Sequence, residues 1–86
     1  MIECTLTETS GPSTSEWVRG KFDISISGTF TGKVLIERSL GNEPEAFNTC
    51  YETNAPIEEV GEVVGSWVRF NSSDDFTGSA NCVLSA

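Results

Sequence analysis

The clearest signal in the chain is the alternation of apolar and polar positions. Ile2-Glu3-Cys4-Thr5-Leu6-Thr7 alternates with a period of two, the pattern of a half-buried strand. Lys21 to Ser27 does so most cleanly, with Phe22, Ile24 and Ile26 on one face. Gly28 to Gly32 reads as a turn, and Lys33 to Arg38 as the next strand, with Val34 and Ile36 on one side and Lys33, Leu35 and Glu37 on the other. This pair predicts a β-hairpin. Phe47 to Tyr51 is a short strand, and Ile57 to Val60 a weak strand or a turn, closed by Gly61. Val64 to Phe70 places Val64, Val68 and Phe70 on one side and Trp67 and Arg69 on the other. Gly78 to Leu84 closes the series with Ala80, Cys82 and Leu84 in phase.

Between these segments the residues are those of turns and loops. Thr9 to Glu16 has no large apolar member, Leu40 to Pro44 carries Gly, Asn and Pro, Asn54-Ala55-Pro56 breaks a strand, and Asn71 to Asp75 is a polar turn. No window has helical periodicity. Six or seven short strands predict an all-β fold: a small antiparallel β-sandwich or partly open barrel, forming one domain over residues 1–86. Phe22, Ile24, Ile26, Val34, Ile36, Val68 and Leu84 are the expected core. A faint echo, Phe30-Thr31-Gly32 and Phe76-Thr77-Gly78, precedes two of the strands. It reads either as two turns with the same needs or as two strands in equivalent places.

Composition narrows the function. The chain has 86 residues, 13 acidic and 5 basic, for a net charge of −8. The cations Arg19, Lys21, Lys33, Arg38 and Arg69 are scattered, so no basic patch is expected to bind nucleic acid. No stretch approaches the ~20 apolar residues of a membrane-spanning helix. The first residues lack a basic segment followed by an apolar run, so a secretory signal is not expected. Histidine is absent, which removes the commonest general base and metal ligand and rules out a Ser-His-Asp triad. No enzyme motif, cofactor site or metal site is read from the sequence.

Cys4, Cys50 and Cys82 are an odd number without C-x-x-C spacing. Cys4 and Cys82 share the inward phase of the first and last strands, where a bridge is geometrically possible. The favoured expectation is reduced, buried thiols in a reducing compartment. The acidic groups Glu43 with Glu45, Glu58-Glu59 with Glu62, and Asp74-Asp75 read as solvated surface. Asn71-Ser72-Ser73 matches a glycosylation sequon by chance.

The tryptophans are more informative. Trp67 falls on the phase opposite Val68 and Phe70, and Leu35 and Val83 also fall on outward phases. That face is too apolar for plain solvent. Three readings stand: an interface with another protein, cover from the 9–20 loop bringing Trp17 over the face, or a platform for stacking a sugar ring. The candidate interface residues are Trp17, Leu35, Trp67 and Arg69.

Gly28-Thr29-Phe30-Thr31-Gly32-Lys33-Val34-Leu35-Ile36-Glu37-Arg38-Ser39 resembles a segment of small virion proteins of tailed bacteriophages, where a strand following a Gly turn ends in Arg-Ser. Gly65-Ser66-Trp67-Val68-Arg69-Phe70 resembles that family's aromatic strand, and Phe76 to Ser85 its closing strand. The resemblance runs from residue 28 to residue 86. It implies a β-sandwich acting as a capsid decoration or other accessory structural subunit. The implied partners are capsid or other virion subunits, with self-association an option, in a virion made in the host cytoplasm. The alternative is a recognition module, a carbohydrate- or receptor-binding sandwich on a fibre or surface.

Overall fold

The computed structural model describes residues 1–40 and 46–86. The acidic residues Glu43 and Glu45, and most of the turn read over Leu40 to Pro44, lie outside them. The strands are β1 (Ile2–Thr7), β2 (Glu16–Thr31), β3 (Val34–Ser39), β4 (Asn48–Thr53), β5 (Ile57–Ser72) and β6 (Thr77–Ser85). All six join one antiparallel sheet in the order β1-β6-β2-β5-β3-β4, not closed into a barrel. The fold is all-β, as its period-two pattern predicts.

The expected hairpin between Lys21–Ser27 and Lys33–Arg38 does not form. Both edges of β2 are taken elsewhere: β5 pairs with it from Glu16 to Ile26, and β6 from Asp23 to Thr31. β3 pairs with β5 and β4 instead. The glycines read as a turn have a different task. Gly28 (φ 112°) and Gly78 (φ 91°) sit within β2 and β6 in backbone conformations that side chains disfavour. A Cβ on Gly28 would lie 2.5 Å from the Ser79 carbonyl oxygen, and one on Gly78 2.5 Å from the Thr29 carbonyl oxygen. The two glycines therefore let β2 and β6 approach and bend within a continuous ladder.

Ile57–Val60 and Val64–Phe70 likewise form one strand, β5. Gly61 does not close it, because the Phe22 ring lies across that glycine from the opposite position on β2. Between the pairs Val18–Ser66 and Gly20–Val63, β2 contributes only Arg19 while β5 contributes Val64 and Gly65. This bulge shifts the phase. Val63, Ser66, Val68 and Phe70 point inward, and Val64, expected with the core, is 76% exposed.

The expected core is buried at all seven positions. It is enclosed by one folded sheet, which curls enough for β1 to pack near β5 although two strands separate them in the order. Ser13, ahead of β2, fastens the curl. Its N–H donates to the Phe70 carbonyl at 2.8 Å, and its hydroxyl accepts the Phe70 N–H at 2.9 Å.

The order of strands has a two-fold pattern. β1, β2 and β3 correspond to β4, β5 and β6, and every pairing joins a strand of the first half to one of the second. The echoed triplets meet at one corner. Phe30 stacks on Phe76 with centroids 5.5 Å apart, and the hydroxyls of Thr31 and Thr77 bond to each other. The strands that follow them, β3 and β6, do occupy equivalent places.

Candidate interaction face

β2, β5 and β3 lie side by side, so their outward residues form rows across the sheet. The first row is Trp17, Trp67 and Ser39, in direct register. The indole rings of Trp17 and Trp67 meet edge to face, 5.7 Å apart and 73° between planes. Trp17 also lies over Gly65, where a Cβ would come within 2.5 Å of its ring. Only a glycine there admits the indole, and the ring in turn shields bare backbone. Trp17 remains 46% exposed. The Trp67 Nε1 is buried and has no hydrogen-bond partner among the described residues. Trp17 thus covers part of Trp67, but from within β2 and not from a loop.

The second row pairs Arg69 with Glu37. The Arg69 Nε donates to Glu37 Oε1 at 2.8 Å, and Asn71 Nδ2 donates to the same carboxylate. The Arg69 guanidinium also sits 3.9 Å above the Phe47 ring. These neighbours bury Glu37 to 8% exposure on what is nominally the outer face. The charges are matched inside the chain, so the patch offers apolar and aromatic surface with little net charge.

The third row holds Leu35, half-buried between Asn71 on β5 and Glu52 on β4. Lys33 donates to Glu52 at 2.9 Å at the exposed rim. Val83 does not belong with this group. It sits on β6 opposite Ser25 and lines a separate groove with Glu58 and Val60. The bulge adds a residue that the sequence pattern hides: Val64, which shares a shallow groove with Trp17, Arg19 and Glu62.

The structure therefore brings Trp17, Trp67, Arg69 and Leu35 onto one face. Phe47 and Glu37 join them unforeseen. The alternating pattern labels Glu37 a surface charge, and only the register with Arg69 shows that it is covered. Among the described residues no group of three Cys, Asp or Glu side chains is placed to hold a metal ion. Comparison with known proteins gives no match to a family model, a curated protein or a solved structure.

Proposed function

We propose that this chain is an accessory structural protein of a bacteriophage particle, seated on the capsid shell through protein–protein contacts and acting without catalysis or a cofactor. It is made in the host cytoplasm and resides in the virion. The observation that carries the reading is the half-exposed Trp17–Trp67 pair beside an ion pair neutralised within the chain. Rigid aromatic rings flanked by satisfied charges are what a binding anchor needs, since they desolvate at low cost and lose little side-chain entropy. Leu35 extends the contact and Phe47–Arg69 forms its rim. Binding only to the assembled shell would stabilise it by mass action. The acidic surface suits a protein partner over nucleic acid, and no contact with a membrane is invoked.

Ring geometry weighs against the sugar-binding alternative. Two indoles at 73° offer no common plane on which a ring could stack. The test is the protein content of purified particles from a phage encoding the chain. Mass spectrometry and a stained gel should find it at a fixed, high copy number relative to the shell protein. Particles that lack it, or hold a few copies on a fibre, would overturn the proposal.

A further inference from the structure

Cys4 and Cys82 face each other as direct partners on the antiparallel strands β1 and β6. Cys4 shares the inward phase with Ile2 and Leu6, and Cys82 with Ala80 and Leu84, so both thiols point to the same side. Direct antiparallel opposition sets Cα atoms ~4.5–5.5 Å apart, inside the ~4.4–6.8 Å that a disulfide spans. Both sulfurs are free in the structure. The third, Cys50, lies on β4 at the opposite edge of the sheet, within 3.3 Å of the Ile36 carbonyl oxygen.

We propose that Cys4 and Cys82 are a site of reversible oxidation, forming a cross-strand disulfide that ties the first strand to the last by exchange with a small-molecule disulfide of the glutathione type. The bridge does not depend on the virion reading. Access sets the order of events. Cys82 is fully buried, whereas Cys4 is half-buried and reaches solvent. The Cys82 thiol donates to the Ala80 carbonyl oxygen at 3.8 Å. Interaction between the two facing sulfurs holds Cys4 below the ordinary thiol range, while that interaction and burial push Cys82 above it. Cys4 is therefore the attacking thiolate. It displaces one glutathione thiolate, which takes up a proton, and leaves a mixed disulfide on Cys4. Cys82 then attacks the Cys4 sulfur as its proton leaves, forming the Cys4–Cys82 bond and releasing the second glutathione. Two protein thiols are oxidised and one glutathione disulfide is reduced to two thiols.

The sequence makes the test direct. Trypsin cuts after Arg19, Arg38 and Arg69, which puts Cys4, Cys50 and Cys82 on three separate peptides, 1–19, 39–69 and 70–86. The full chain is equilibrated in glutathione buffers of stepped reduced-to-oxidised ratio, quenched with acid, alkylated and digested without reductant. Peptides 1–19 and 70–86 should become linked as the ratio falls, while Cys50 stays alkylated. The bridge closes a loop of nearly the whole chain, so Tm should rise by roughly 10 °C or more. Cys4→Ser should remove both the link and the rise, and Cys50→Ser should change neither. Full alkylation of Cys4 and Cys82 in the most oxidising buffer, with the protein still folded, would overturn the proposal. So would glutathione left on Cys4, or linkage through Cys50.

Discussion

Trp17 and Trp67 are directly opposed residues on β2 and β5, and the edge of one indole meets the face of the other. An aromatic pair of this kind contributes ~0.5–1.5 kcal/mol beyond the area it buries. Trp17→Ala removes that contribution together with the area of a half-buried ring, and should cost the isolated protein ~2–3 kcal/mol. If this face is the anchor, the same change should weaken binding to the particle by ~2 kcal/mol or more. Chemical denaturation and co-sedimentation with particles give the two numbers. A variant that binds as well as the parent would remove Trp17 from the interface.

Ile24 belongs to the core, 5% exposed on the inner face of β2. Truncation to Ala should cost ~2–5 kcal/mol, much of the margin available to a domain of this size. An unchanged Tm for Ile24→Ala would contradict the assigned strand phase.

Glu37 is held by both Arg69 and Asn71. Glu37→Ala leaves the guanidinium without its carboxylate in a partly buried setting and should cost ~2–3 kcal/mol. Glu37→Ala combined with Arg69→Ala should cost less than the sum of the single changes, because the second removes the stranded charge. Strict additivity in a double-mutant cycle would mean that the two side chains are not coupled in solution.

Gly61 has no room for a side chain, since an added Cβ would lie 2.4 Å from the tip of the Phe22 ring. Gly61→Ala should displace that ring from the core and lower stability by ~1–3 kcal/mol. Pairing it with Phe22→Leu, which shortens the obstructing ring, should recover part of the loss. Equal stability of Gly61→Ala and the parent would show that Phe22 does not rest on Gly61.

The strands were legible where their alternation is undisturbed. Phe22, Ile24 and Ile26 gave the inner face of β2 directly, and Ala80, Cys82 and Leu84 that of β6. Pairing was not legible, because alternation fixes which face a residue takes and not which strand lies beside it. The glycines misled for a physical reason. Gly28 permits a bend inside a strand, and Gly61 accepts a ring from the neighbouring strand, yet in sequence each looks like a break. Val64 was misplaced because one extra residue in a bulge reverses the phase for everything on one side of it. Of the candidate face, Trp67 and Arg69 could be read from their phase. Trp17 as a strand partner and Phe47 as a lid over Arg69 depend on contacts between distant segments.

The strand order also bears on how this chain could be divided. No strand pairs with another from its own half, so residues 1–40 and 46–86 each carry three strands with no internal ladder to hold them. Expressed separately, each fragment should be unstructured, since its apolar faces and backbone groups find partners only on the other. Mixed together, they should assemble into the native sheet with second-order kinetics, in the manner of an obligate heterodimer. Circular dichroism of each fragment alone and of the equimolar mixture would read this out, and a folded single fragment would count against it.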